Sequence, residues 1–68
     1  MKNLKMKKEF KVIADLLPNN VRVLDVGCGD GSLMNHLIKE KNIEARGLEL
    51  KKENVTKCIY KGLPVIEG

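Results

Sequence analysis

The sequence predicts an α/β fold in which parallel strands alternate with helices. Apolar residues recur at helical spacing in three segments, and each segment is followed by a short run rich in β-branched or apolar residues. Every connection between consecutive strands contains a whole helix, so the strands can run parallel. Right-handed crossovers then give a βαβαβ unit with strand order 3-2-1 behind an N-terminal helix, with the first strand at one edge.

The N-terminal helix is expected to end before Pro18, which disfavours helical geometry in the residue that precedes it. Its predicted buried stripe consists of Met6, Phe10, Ile13 and Leu17, widened by Val12 and Leu16. After a turn at Asn19-Asn20, residues 21–26 are predicted to form the first strand. That strand is nearly continuous in apolar residues, which is typical of a parallel strand buried on both faces. Residues 1–20 are thus helix and turn, and residues 21–68 form the βαβαβ unit.

The remaining elements follow from apolar spacing and from residues that begin or end helices. A helix is predicted over residues 32–41, with Ser32 as its N-cap and Asn42 in a left-handed exit conformation. Its apolar stripe consists of Leu33, Met34, Leu37 and Ile38, and His36 lies near the edge of that stripe. A second strand over residues 43–50 precedes a helix over residues 52–61, with Val55, Cys58 and Ile59 as its buried stripe and Gly62 at the C′ position. A third strand begins at Pro64.

Length and composition are those of one small globular domain or of part of a larger one. The chain has 68 residues, of which 43% are hydrophobic and 32% charged, and its net charge is +4. One Phe, one Tyr and no Trp argue against a surface that stacks nucleic-acid bases. The N-terminal segment contains Lys2, Lys5, Lys7, Lys8 and Lys11, and we interpret these as a solvated helix face rather than as a nucleic-acid or membrane patch.

Neither a zinc site nor a membrane segment is indicated. Cys28 and Cys58 lie thirty positions apart and neither belongs to a CxxC pair, so we expect two free thiols and no metal. The apolar stretches near the N-terminus are interrupted by Lys11 and Asp15, which leaves no signal-peptide core and no membrane span. A cytoplasmic protein is therefore expected.

The functional signal is a glycine-rich loop between the first strand and the second helix, with the sequence Asp25-Val26-Gly27-Cys28-Gly29-Asp30-Gly31-Ser32. Such a loop allows a ligand to approach the backbone closely, and its amides and the helix N-terminus are expected to face that ligand. Glu49 lies eighteen residues beyond Gly31, near the end of the second strand, where a carboxylate can accept hydrogen bonds from both hydroxyls of a ribose. The unit therefore predicts a nucleoside-containing ligand at the carboxyl ends of the strands.

Two ligand classes fit this arrangement, and charge favours one of them. The dinucleotide fingerprint GxGxxG would need glycine where Ser32 stands. Asp25 would add a negative charge beside a pyrophosphate, whereas it suits S-adenosylmethionine, which carries a cationic amine and a sulfonium and no phosphate. An alternative role for Asp25 is to cap the loop by accepting hydrogen bonds from nearby amides. The NAD(P)-binding fragment of an oxidoreductase is the alternative ligand-binding function.

The glycine-rich loop resembles the first motif of class I S-adenosylmethionine-dependent methyltransferases. From about Phe10 to Gly68 the chain more narrowly resembles the methionine biosynthesis protein MetW family, on residues 21–31, Gly47-Leu48-Glu49-Leu50 and residues 53–62. The resemblance implies a Rossmann-like, doubly wound parallel sheet of seven strands with S-adenosylmethionine across its middle and Glu49 on the ribose. The residues expected to bind the cofactor are Asp25, Gly27, Cys28, Gly29, Gly31, Glu49 and Leu50. No catalytic residue and no metal ligand is assigned.

The resemblance also implies a role in methionine biosynthesis together with a homoserine O-acyltransferase. The chain would then be the N-terminal, cofactor-binding half of a methyltransferase-like domain, inactive in methyl transfer by itself and with an unidentified methyl acceptor. A non-enzymatic partner of the acyltransferase is the alternative from a different class, with the lysine-rich N-terminal helix as its candidate contact surface. Neither nucleic acid nor a membrane is expected as a partner.

Overall fold

The computed structural model describes the backbone of residues 2–68 and the side chains of residues 9–68. A helix precedes a βαβαβ unit, and the elements in chain order are α1 (Lys2–Leu16), β1 (Arg22–Val26), α2 (Ser32–Lys41), β2 (Glu44–Glu49), α3 (Lys52–Tyr60) and β3 (Val65–Glu67). The predicted alternation of helices and strands is confirmed. The predicted exits from two helices are also confirmed, because Asn42 and Gly62 both have positive φ, at 51° and 73°.

The three strands form one parallel sheet in the spatial order β1-β2-β3, with β1 at an edge as predicted. In this register Asp25 pairs with Gly47 and Val26 pairs with Leu48, so the last residues of β1 and β2 lie side by side. The glycine-rich loop leaves β1 at this point. The topology therefore brings the loop and the end of β2 to the same edge of the sheet.

All three helices contribute to one core on one face of the sheet. The buried residues of that core are Ala14, Cys28, Met34, Leu37, Ile43, Ala45, Cys58 and Leu63. Close approach of α2 to the sheet depends on Gly47, since a Cβ there would stand 2.5 Å from Cys28 Sγ and 2.8 Å from Met34 Cε. The glycine in β2 thus makes room for Met34, which has no exposed surface.

The other face of the sheet is uncovered in the part of the chain that the structure describes. Leu24, Val26 and Ile66 are 59%, 73% and 58% exposed. The prediction that β1 is buried on both faces is therefore wrong for Leu24 and Val26, because the helices cover only the face that carries Val23 and Ala45. The apolar residues of β1 are therefore packed against the core on one face and exposed on the other.

The apolar stripe of α1 is rotated from the predicted one. Ala14 is its fully buried residue, with Phe10 and Leu17 half-buried, whereas Val12 and Leu16 are 61% and 79% exposed. The small alanine allows α1 to approach α2, and the ring of Phe10 lies 5.9 Å from that of His36. His36 is half-buried, as expected at the edge of the α2 stripe.

The buried stripe of α3 is narrower than predicted. Ile59 is 63% exposed, so the buried stripe of α3 consists of Val55 and Cys58 alone. The side chains of Met6 and of four lysines in the basic segment, Lys2, Lys5, Lys7 and Lys8, lie outside the described residues. Within residues 2–68, no helix has both the length and the apolar character needed to cross a membrane.

Candidate functional site

The three glycines of the loop all have positive φ, and they divide into two kinds. At Gly27 and Gly29, with φ of 71° and 60°, a Cβ would meet no atom within 4 Å. At Gly31, with φ of 83°, a Cβ would stand 2.5 Å from Leu63 Cδ1 and 2.9 Å from Cys58 Sγ. The first two glycines therefore border open space, and the third permits close packing of the loop against the core.

The amides of the loop are largely engaged by the protein itself. Gly27 and Cys28 both donate to the carbonyl oxygen of Leu48, at 2.8 and 3.1 Å, and so attach the loop to β2. Gly29 donates to Glu49 Oε1 at 2.9 Å, and Gly31 donates to the Cys28 carbonyl at 3.1 Å. The expectation that the loop amides face a ligand is therefore wrong, because these donors already have partners.

The start of α2 also differs from the prediction. Ser32 is the first helical residue and not the N-cap, a position occupied by Gly31. Asp30 supplies the acceptor instead, since its Oδ1 accepts from the amide of Ser32 at 3.0 Å and from its hydroxyl at 2.7 Å. These two bonds hold the pKa of the Asp30 carboxyl below its ordinary value.

Glu49 connects β2, the glycine-rich loop and the start of α3. Its side chain is buried, with Oε1 accepting from the Gly29 amide at 2.9 Å and Oε2 accepting from the Lys51 amide at 3.0 Å. The side-chain amide of Asn54 donates to Oε2 at 3.3 Å. Bonds from the Lys51 and Gly29 amides are the main reasons that the pKa of Glu49 is lowered. The carboxylate is therefore ionised and oriented, with Oε1 still able to accept from a further donor.

Asp25 is the contrasting carboxylate of the site. It is half-buried at the end of β1, and burial raises the pKa of its carboxyl. Its negative charge also helps to raise the pKa of the Cys28 thiol, so the two side chains are near each other. Asp30 supplies the acceptor that caps the loop.

The two cysteines are free thiols beneath the loop. Their sulfur atoms are 4.0 Å apart, and the thiol of Cys58 donates to the Gly29 carbonyl at 3.4 Å. Burial, followed by the contact with Cys58, raises the pKa of Cys28 to about 11. The thiol of Cys28 is therefore protonated at neutral pH, a state in which it is a poor nucleophile.

A cavity of about 300 Å³ opens at the carboxyl ends of the strands. It is lined by residues at the end of β1, at the end of β2 and after β3: Val26, Gly27, Leu48, Glu49, Leu50, Lys51 and Gly68. Its surface is mostly apolar, with the Glu49 carboxylate as its acidic group. A second cleft lies at the opposite ends of β1 and β2, between Arg22 and Arg46, away from the glycine-rich loop.

The structure separates the expected site residues by position. Gly27, Glu49 and Leu50 line the cavity, and Gly29 is joined to it through Glu49. Cys28 and Gly31 face the core beneath the loop. Among the residues from 9 onward, no group of His, Cys, Asp and Glu is arranged to hold a metal ion.

Sequence reasoning missed three residues that support the site. Asn54 bonds to Glu49, and its position five residues after Glu49 at the start of a helix is a signal that could have been used. Leu48 supplies the carbonyl that holds two loop amides, which depends on the register of β1 and β2. Lys61 donates to the Asp30 carbonyl at 2.9 Å across thirty-one positions, a contact that no local pattern indicates.

Comparison with known proteins identifies the fold and the family. Over 93% of this chain, the structure superimposes on a SAM-dependent methyltransferase from Archaeoglobus fulgidus, with a TM-score of 0.76 and 28% sequence identity. The chain spans 28% of the length of that protein. No protein with a curated description is significantly similar to it. Residues 7–68 match the family described as methionine biosynthesis protein MetW, and the chain belongs to this family.

Proposed function

We propose that this chain binds S-adenosylmethionine at the carboxyl ends of its strands and forms the cofactor-binding part of a methyltransferase-fold protein. The observation that carries the proposal is the state of the loop: five of its amides are bonded within the protein, while the Glu49 carboxylate lines the adjoining cavity. A loop in this state offers acceptors and negative charge. It therefore suits a cation rather than a phosphate.

The same observation argues against a dinucleotide. Loops that hold a pyrophosphate present free amides and a helix N-terminus to it. Here five of the six amides from Gly27 to Ser32 already donate to protein acceptors. A pyrophosphate would also approach the charges of Asp25 and Glu49, both of which repel it. The sulfonium and amine of S-adenosylmethionine are attracted by these carboxylates.

The cavity divides naturally between the parts of the cofactor. Glu49, whose Oε1 retains accepting capacity, is the proposed partner of the ribose hydroxyls. Val26, Leu48 and Leu50 offer apolar surface to the adenine ring. We propose that the open backbone at Gly27 and the nearby Asp25 face the cationic amine and sulfonium.

Calorimetric titration of the protein tests this proposal. We expect S-adenosylmethionine to bind more tightly than NAD, and Asp25→Asn to weaken its binding about tenfold through loss of one charge-assisted contact. Asp15→Asn, at an exposed position on α1, is the matched control and should bind like the wild type. Equal affinity for NAD, or an Asp25→Asn variant with unchanged affinity for S-adenosylmethionine, would contradict the proposal.

Methyl transfer would proceed by displacement at the sulfonium carbon, with alignment of donor and acceptor as the contribution of the protein. The cavity residues include Glu49 and Lys51 as ionisable groups, and the Glu49 carboxylate is bonded to amides. We therefore assign no general base to this chain. The methyl acceptor is proposed to bind to parts of the protein beyond the cofactor cavity.

Membership of the MetW family supports a role in methionine biosynthesis, where we propose a homoserine O-acyltransferase as the partner. A non-enzymatic supporting role for this fold is the second candidate, favoured by the absence of an assigned base among the cavity residues. An acyltransferase assay with and without the protein separates the candidates. Raised acyltransferase activity supports the partner role. Unchanged activity together with a methylated small molecule supports a plain methyltransferase.

A further inference from the structure

Helix α3 holds the glycine-rich loop at three points along its length. Near its start, Asn54 donates to Glu49, which in turn accepts from the Gly29 amide. In its last turn, the Cys58 thiol donates to the Gly29 carbonyl at 3.4 Å. Directly after its last turn, Lys61 Nζ donates to the Asp30 carbonyl at 2.9 Å. The Gly29 amide is thus held through Glu49, and the carbonyls of Gly29 and Asp30 are held by donors from α3 and from the residue that follows it.

The contact of Lys61 is the outermost of the three and involves several loop atoms. Its ammonium also lies 3.4 Å from Ser32 Oγ and 3.7 Å from Asp30 Oδ2. Its charge contributes to the lowered pKa of Asp30, after the larger effect of the two bonds from Ser32. One ammonium therefore contacts the Asp30 carbonyl, the first residue of α2 and the carboxylate that accepts from the Ser32 amide.

The Lys61 contact determines the orientation of one peptide group. In the peptide that joins Asp30 to Gly31, the carbonyl accepts from Lys61 and the amide donates to the Cys28 carbonyl at 3.1 Å. With both polar atoms held, the peptide cannot rotate without breaking two hydrogen bonds. Gly31 has no Cβ to restrict such a rotation, so the restraint has to come from these bonds.

We propose that Lys61 is a positioning residue that keeps the glycine-rich loop in its ligand-binding conformation. The inference rests on the proposed binding of S-adenosylmethionine at this loop. Removal of the ammonium should loosen the loop and reduce affinity, because part of the binding free energy would then be used to order the loop again. For a charge pair of this exposure we expect about a fivefold loss of affinity.

The test compares Lys61→Met, Lys61→Arg and the control Lys52→Met in the full protein. Lys52 lies in the first turn of the same helix and is exposed, so its variant removes an equal charge without touching the loop. Amide hydrogen exchange at Gly31 and Ser32 is measured without ligand, and affinity for S-adenosylmethionine is measured by calorimetry. An NMR titration of the Asp30 carboxyl provides a readout that a general loss of stability would not move.

We expect Lys61→Met to speed exchange at both amides, to raise the pKa of Asp30 and to weaken binding. The variants Lys61→Arg and Lys52→Met should both resemble the wild type in amide exchange, in the pKa of Asp30 and in affinity. Unchanged loop exchange in Lys61→Met, or equal effects of Lys52→Met, would overturn the inference. If the wild type binds no S-adenosylmethionine while loop exchange still responds to Lys61→Met alone, the proposed function fails and the restraint on the loop stands.

Discussion

Substitution of three glycines by alanine, one at a time, separates the packing role of the glycine-rich loop from its proposed ligand-binding role. Gly27, Gly31 and Gly62 all have positive φ, at 71°, 83° and 73°. Only at Gly31 does an added Cβ meet neighbours, namely Leu63 Cδ1 at 2.5 Å and Cys58 Sγ at 2.9 Å. Gly27 lines the cavity at the strand ends, and Gly62 lies after α3, outside that cavity. The three variants therefore share the cost of a positive φ, but only Gly31→Ala adds a core contact and only Gly27→Ala changes the lining of the cavity.

The expected magnitudes follow from these surroundings. A left-handed conformation costs an alanine about 1–2 kcal/mol, and this is the whole loss of stability expected for Gly27→Ala and Gly62→Ala. At Gly31 the new methyl group also overpacks the core, which adds about 1–3 kcal/mol. Gly31→Ala should thus lose about 2–5 kcal/mol of unfolding free energy. For a domain of this size each kcal/mol lowers Tm by about 4–8 °C.

Urea denaturation and calorimetric titration with S-adenosylmethionine provide the two measurements. We expect Gly27→Ala to be as stable as Gly62→Ala but to bind about tenfold more weakly, because its methyl group occupies space that the ligand needs. Gly62→Ala should bind like the wild type. Equal stabilities for Gly31→Ala and Gly62→Ala would refute the packing argument. Equal affinities for Gly27→Ala and Gly62→Ala would refute the placement of the ligand.

Further measurements test the charged groups and the open sheet. Glu49→Gln should lower affinity for S-adenosylmethionine about tenfold in calorimetry, because one acceptor oxygen becomes a donor that faces other donors. Affinity should fall as pH falls through the raised pKa of Asp25, and Asp25→Asn should abolish that dependence. Folding raises the pKa of Cys28 from 9.0 to about 11, so its contribution to stability is complete below pH 9.0 and is lost as pH rises towards 11. In urea denaturation, the free energy of unfolding should therefore fall over this pH range, and Cys28→Ala should remove that dependence. The 68-residue chain should self-associate through the exposed sheet face that contains Val26. A monomer in analytical sedimentation that also unfolds in one sharp thermal transition would contradict this.

The sequence was sufficient for the order of elements because the relevant signals are local. Apolar spacing, Pro18, Asn42 and Gly62 each act within one helix or turn, and the structure places the corresponding ends as expected. The burial of α1 was not predictable in the same way. Val12 and Leu16 are apolar, but which residues are buried depends on where α2 lies, and that contact selects the small Ala14.

The state of the loop depends on contacts between residues distant in the chain. A glycine-rich sequence after a strand indicates amides near a ligand, yet those of Gly27 and Cys28 are taken by the Leu48 carbonyl. That carbonyl reaches them because β1 and β2 pair in a register that places Val26 beside Leu48. The spacing of the glycines carries no information about this register, so the sequence predicted a candidate site but not the direction of its hydrogen bonds.

Under the proposed function, the direction of those hydrogen bonds determines which ligand charge is favoured at the strand ends. When the protein satisfies the loop amides, the charged groups near the carboxyl ends of β1 and β2 include the carboxylates of Asp25 and Glu49. Glu49 is used twice, because the bond that fixes Gly29 also orients the carboxylate toward the cavity. Under the proposed function, a loop whose glycines resemble those of phosphate-binding proteins would thereby favour a cation. On this view the register of β1 and β2, rather than the count of glycines, distinguishes a sulfonium site from a pyrophosphate site.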